Sequence, residues 1–219
     1  MGLSLDRRHI IASGLLLTLA QVGGATTAPL KPRTAATLLV LGDSLSAEYG
    51  LPRGAGWVAL LQARLAAQKP NVSLINASIS GDTTSGGASR LPALLDKYRP
   101  THVIIELGGN DALRGMSLQG TQSNLSQMTE AAKASGAKVL LVGMQVPPNY
   151  GQDYANRFAA LYGTTAKTHK TALVPFLLKG VADAPHAQEL FQADRIHPAV
   201  QAQPIMLDNV WPELKKLLP

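Results

Sequence analysis

Ser44 ends an apolar run in "LLVLGDSLS", and Asp194 and His197 stand three residues apart in "ADRIHP". A hydroxyl is a poor nucleophile near neutral pH unless a positioned base takes its proton as it attacks, and histidine is the usual base. A carboxylate one turn of chain away can hold one imidazole nitrogen while the other faces a serine, which makes Asp194 and His197 a candidate pair for Ser44. The other histidines have plainer uses. His9 lies in the N-terminal segment, His102 opens an apolar run, His169 stands beside Lys167 and Lys170, and His186 lies in a polar connection. Metal binding is the competing use of an Asp-His pair, but there is no cysteine, no HExxH and no second histidine nearby to complete a ligand set. Neither a metal nor a cofactor is expected.

Attack on an ester also needs donors for the oxyanion that develops. "NASISGDT" over 76–83 offers the Gly81 N–H, which no side chain obstructs, and "LGGND" over 107–111 offers the two amide donors of Asn110. The Ser44 N–H is a third candidate, at an expected helix start whose dipole favours negative charge. Each block taken singly also reads as turn chemistry, since glycines make turns and Asn and Asp cap helices. The functional reading therefore depends on their convergence. G-x-S-x-G, a Walker loop and G-x-G-x-x-G are absent, which speaks against an α/β-hydrolase, a nucleotide hydrolase and a dinucleotide enzyme.

Short β-rich apolar runs at about 37–42, 72–76, 102–107, 138–143 and 172–175 alternate with segments of helical period. In "GWVALLQARLAAQ", Trp57, Leu60, Leu61 and Leu65 fall on one helical face; "RLPALLDKY", "NLSQMTEAAKAS" and "YANRFAALYGTTAKTH" read alike. Strict alternation implies right-handed crossovers, a parallel sheet covered on both faces and a site at the strand carboxyl ends. The expected class is α/β: a three-layer α/β/α sandwich around a mostly five-stranded parallel sheet, in one domain over 36–219.

Arg7, Arg8 and His9 precede "IIASGLLLTLA", and small residues follow through Gly24, Ala25 and Ala28. Basic, apolar, then small is the order of a secretory signal, placed at 1–25 and followed by a linker over 26–35. Gln21, Gly23 and Gly24 end the apolar stretch short of the roughly 20 residues a spanning helix needs. "DRRHII" also resembles a twin-arginine signal, so the export route stays open. The net charge of +6 comes from scattered residues without interleaved aromatics, which points away from nucleic acid.

The four blocks together, "GDSLS", "NASISGDT", "GGND" and "DRIHP", resemble the SGNH, or GDSL, hydrolase family, and span most of the chain after the signal. "INASISGDT", "RLPALL", "IELGGND", "LRG" and "PPNYG" are similar to its bacterial periplasmic branch of thioesterases, lysophospholipases and arylesterases. The resemblance implies the flavodoxin-like SGNH fold and a serine hydrolase of carboxylic esters and thioesters. It places the nucleophile at Ser44, the rest of a triad at Asp194 and His197, and an oxyanion hole at Ser44, Gly81 and Asn110. It also implies an acyl path beside Leu113, Met116 and Pro147, a small-molecule acyl substrate, transient contact with membrane lipids, a monomer, and a periplasmic or secreted location. Arg195 where glycine is common, Glu48 where a small residue is expected and Ala112 where glycine is usual depart from the pattern. A carbohydrate acetylesterase of the same fold, and a non-catalytic exported domain that binds lipids or sugars, are the alternatives.

Overall fold

The computed structural model describes residues 36–219, so the expected signal and linker lie outside the described residues. Five strands, β1 (Ala36–Gly42), β2 (Val72–Asn76), β3 (His102–Glu106), β4 (Lys138–Val142) and β5 (Ala172–Val174), form one sheet in the order β2-β1-β3-β4-β5. Every pairing is parallel. β1 lies inside the sheet, between β2 and β3, and its Leu38, Leu39, Val40 and Leu41 are fully buried, leaving no face for polar side chains.

Helices α1 (Trp57–Gln68), α2 (Thr84–Tyr98), α3 (Gly109–Leu113), α4 (Leu118–Ala134), α5 (Gln152–His169) and α6 (Gln203–Leu217) cover the sheet. α2 and α4 begin some residues earlier than their apolar periodicity suggests, because polar caps extend them: Thr83 accepts from the Gly86 N–H and Ser117 from the Gly120 N–H. Sequence reading did not find α6, in which Pro212 interrupts the pattern. Its Met206, Leu207, Val210 and Leu214 nevertheless pack at helical spacing onto the core. No helix among the described residues is long and apolar enough to cross a membrane.

The helix expected to start at Ser44 is absent. Residues 44–50 form a hydrogen-bonded turn, with the Ala47 N–H donating to the Asp43 carbonyl at 3.0 Å, and the first helix waits until Trp57. Glu48 is the cause. It adopts a left-handed φ of 59°, which ends helical geometry, and its carboxylate accepts from the Gly54 and Gly56 N–H groups at 3.0 and 2.8 Å. A small residue at 48 could not make these bonds. No helix dipole therefore acts at Ser44.

Candidate active site

The connections after β1, β2, β3 and β5 meet at the carboxyl edge of the sheet. Ser44 Oγ lies 2.9 Å from His197 Nε2, across 153 positions of sequence. His197 Nδ1 lies 2.7 Å from Asp194 Oδ2, while Asp194 Oδ1 accepts from the Ile196 and His197 N–H groups at 2.9 and 3.0 Å. The His197 backbone N–H is the main reason that the Asp194 carboxyl falls to about 2. An ionised Asp194 can only accept, so the ring proton sits on Nδ1 and Nε2 is left to accept from the Ser44 hydroxyl. This relay can remove a proton from Ser44 without further rearrangement.

Arg195 has a left-handed φ of 58°, which accounts for the usual preference for glycine between the Asp and the His. Its side chain is exposed and the turn keeps its geometry. Tyr49 lies against the imidazole, ring centroids 4.3 Å apart and tilted by 37°, and further restricts the ring. Gln192 ties the two loops together: its side chain donates to the Tyr49 carbonyl at 2.9 Å and its N–H to the His197 carbonyl at 2.8 Å.

The candidate oxyanion donors are braced separately. Gly81 has φ +78°, a conformation that a Cβ would strain, and its carbonyl accepts from Arg114 Nη2 at 2.9 Å. Asp82 pairs with Arg90 at 2.8 Å, and Arg90 reaches on to the Gly42 carbonyl at 3.3 Å. Asn110 sits in the short helix α3 beside the buried Asp111, whose carboxylate accepts from the Thr84 N–H at 2.8 Å, from the Thr84 hydroxyl and from the Thr121 hydroxyl at 3.2 Å. Asp111 thereby fixes α3 to the starts of α2 and α4.

Asp43 and Glu106 are functional candidates that sequence reading missed. One Asn110 amide hydrogen goes to Asp43 Oδ2 at 3.1 Å, while Asp43 Oδ1 accepts from the Leu45 N–H at 3.0 Å. Asp43 thus fixes the amide plane and leaves the second hydrogen to point elsewhere. Burial raises the Asp43 carboxyl to about 6. Glu106, fully buried at the end of β3, accepts from the Ser46 hydroxyl at 2.7 Å; burial first, and then the charge of Asp43, push it well above the usual carboxylate range. A Cβ on Gly42 would come within 2.8 Å of both Glu106 and Ser46, so glycine is required for this close approach. The signals were present in the sequence: an acid beside the serine, and another closing an otherwise apolar strand.

Leu113 ends α3 and Met116 lies on the connection after it; they are 47% and 37% exposed, and Pro147, after β4, is also exposed. The first two therefore do not pack beneath their loop. His102 is buried, its ring nitrogens paired with the Thr101 hydroxyl and the Leu217 carbonyl, which is a packing role. Among the described residues no group of three His, Cys, Asp or Glu side chains is placed to hold a metal ion.

Esterase TesA of Pseudomonas aeruginosa is 57% identical over 184 residues, which is 84% of this chain and 90% of that protein. Thioesterase 1/protease 1/lysophospholipase L1 of Escherichia coli K12 is 43% identical over 182 residues, 83% of this chain and 85% of the relative. The crystal structure of TesA matches with a TM-score of 0.79 at 56% identity, covering 83% of this chain and 99% of that one. Residues 40–203 match the GDSL-like Lipase/Acylhydrolase family, to which this chain belongs.

Proposed function

We propose that this acylhydrolase cleaves carboxylic esters and thioesters through an acyl-enzyme on Ser44. His197 Nε2 takes the hydroxyl proton as Ser44 Oγ bonds to the substrate carbonyl carbon. The oxyanion so formed is met by the Ser44 and Gly81 N–H groups and the free Asn110 amide hydrogen. As the carbon–oxygen or carbon–sulfur bond breaks, His197 gives its proton to the leaving alcohol or thiol. Water then repeats the sequence on the acyl-enzyme, releasing the acid and restoring the serine. Asp194 holds the ring and stabilises the imidazolium. The observation that carries this reading is the continuous relay from Asp194 through His197 to Ser44, at 2.7 and 2.9 Å. The names of the relatives, an esterase and a thioesterase, support the substrate class.

The exposure of Leu113 and Met116 supports an acyl path across the end of α3 and the connection after it, and the exposed Pro147 is a further candidate for its lining. Each methylene covered there gains at most about 0.8 kcal/mol, so kcat/KM on p-nitrophenyl esters is expected to rise by up to about fourfold per CH₂ until the path is full. Leu113→Ala should flatten the slope. A folded protein that turns over none of the series contradicts the hydrolase reading, and a steep preference for acetyl, unchanged by Leu113→Ala, favours a carbohydrate acetylesterase.

Export to the periplasm or medium is part of the same proposal. It is supported by the order of basic, apolar and small residues over 1–25. The intact mass of protein recovered from the exported fraction is expected to lack about 25 N-terminal residues, since small residues at Gly23 and Ala25 suit signal peptidase. A full-length mass in that fraction overturns the assignment. A monomer is proposed as the working form.

A further inference from the structure

Ser44 lies on the connection after β1, 43–56, and His197 on the segment 191–200 between β5 and α6. The bond between their side chains exists only while the serine keeps its hydrogen. In the acyl-enzyme, Ser44 Oγ carries the acyl group and has no proton to donate, so the 2.9 Å contact no longer holds the imidazole. Deacylation nevertheless asks the same of His197. Its Nε2 takes a proton from the water that attacks the acyl carbon, and returns that proton to Oγ as the carbon–Oγ bond breaks and the acid leaves. Asp194 holds the ring within its own segment and does not join that segment to the nucleophile. Another tie is needed at this stage.

Gln192 supplies it. Among the described residues one further hydrogen bond joins 43–56 to 191–200: the Gln192 side-chain NH₂ donates to the Tyr49 carbonyl at 2.9 Å. The same NH₂ donates to the Pro198 carbonyl at 3.2 Å, so both of its hydrogens are used and two acceptors fix which way the amide points. In the main chain, the Gln192 N–H donates to the His197 carbonyl at 2.8 Å and its carbonyl accepts from the Arg195 N–H at 2.9 Å. Gln192 is therefore built into the turn that carries Asp194 and His197. Its partner is fixed as well: the Tyr49 N–H donates to the Ser44 carbonyl at 3.4 Å, and the Tyr49 ring lies against the imidazole, centroids 4.3 Å apart. Gly50 makes room for the joint, because it has φ +69° and a Cβ there would overlap Gln192 Oε1. Gln203 also donates to the Pro198 and Ala199 carbonyls, each at 3.3 Å, but its other partner is the Trp57 N–H on α1, beyond the connection that carries Ser44. We propose that Gln192 is a positioning residue for His197 that acts chiefly in the acyl-enzyme, where it keeps the imidazole aligned on Ser44 for the attack of water. The inference rests on the hydrolase reading and deepens it.

The two half-reactions are separated by stopped flow on a p-nitrophenyl ester, where the burst gives the rate of acylation and the steady phase that of deacylation. Gln192→Met keeps the length of the side chain and removes both donors. With two hydrogen bonds lost, deacylation is expected to slow by about tenfold or more. Acylation, during which the Ser44 bond holds the ring, should slow by no more than about threefold. The acylated fraction at steady state, read from the intact mass, should rise accordingly. Gly50→Ala, which displaces the Gln192 amide without altering it, should shift the two rates in the same sense. A role in stability alone would lower Tm and leave the ratio of the two rates unchanged in the folded protein; that result, or equal slowing of both steps, overturns the proposal. A second measurement needs no turnover. In Ser44→Ala, which also lacks the serine bond, the ring-current shift that Tyr49 imposes on the His197 ring protons is expected to persist in NMR spectra, and adding Gln192→Met should remove most of it. A shift that survives in the double variant overturns the proposal. If the unsubstituted protein forms no acyl-enzyme but the NMR shift responds as expected, Gln192 positions the imidazole and the hydrolase reading falls.

Discussion

Ser44→Ala and His197→Ala are each expected to lower kcat on an activated ester by about 10⁴ to 10⁶, with the fold unchanged by circular dichroism. The size of the effect follows from the relay acting as a unit: without either member no proton leaves the nucleophile. Asp194→Ala should cost somewhat less, since Nε2 can still accept while the ring loses its holder at 2.7 Å. The double variant Ser44→Ala/His197→Ala should be little worse than either single one. A fluorophosphonate should label the unsubstituted protein at Ser44 and leave Ser44→Ala unlabelled. A folded Ser44→Ala that keeps most of its activity would falsify the mechanism.

The second large effect is expected at Asn110. Removing its amide deletes a donor needed mainly in the transition state, so Asn110→Ala should lower kcat by about 10² to 10³ while KM moves little. If Asn110→Ala melts early yet turns over normally once folded, the residue is a loop cap and not an oxyanion donor. Asp43→Asn separates presence of the amide from its orientation. An asparagine that keeps its oxygen toward the Leu45 N–H turns its own NH₂ toward Asn110, so the bond at 3.1 Å is lost and kcat should fall by at least about tenfold.

Stability should move the other way in Asp43→Asn. Burial raises this carboxyl from the ordinary 3.8 to about 6, so the folded protein holds the proton more tightly than the unfolded chain. This group therefore destabilises the fold progressively as pH rises from about 4 to about 6, and Glu106 acts in the same direction. Asp43→Asn should remove part of that decline and melt higher than the unsubstituted protein at pH 7. A lower Tm at pH 7 with unchanged kcat would show that Asp43 serves packing alone.

The five strands were legible in the sequence because a strand buried on both faces must be a continuous apolar run, and a run of that kind is a local property. Their order was not local, but alternation with helices restricts it, and the parallel sheet follows. The site was legible to the extent that its chemistry sits in short blocks. Asp194 and His197 meet over three residues, and the turn that joins them can be read from their spacing. Ser44 had to be paired with them by elimination among histidines, whereas the 2.9 Å contact depends on the connections after β1 and β5 converging at one sheet edge.

Other features were decided only by the tertiary structure. The turn after Ser44 is held by a side chain that reaches six and eight residues ahead to backbone N–H groups, so neither propensity nor periodicity at Glu48 reveals it. Asp43 supports Asn110 across 67 positions because β1 and β3 are neighbours in register, which brings the two strand ends together. Glu106 is kept neutral-favouring by burial, a property of what packs around a residue rather than of the residue itself. The exposed Tyr49, Ile79, Met116 and Ile196 are scattered singly through the chain, and only the common direction of the five strands brings the connections that carry them to one sheet edge.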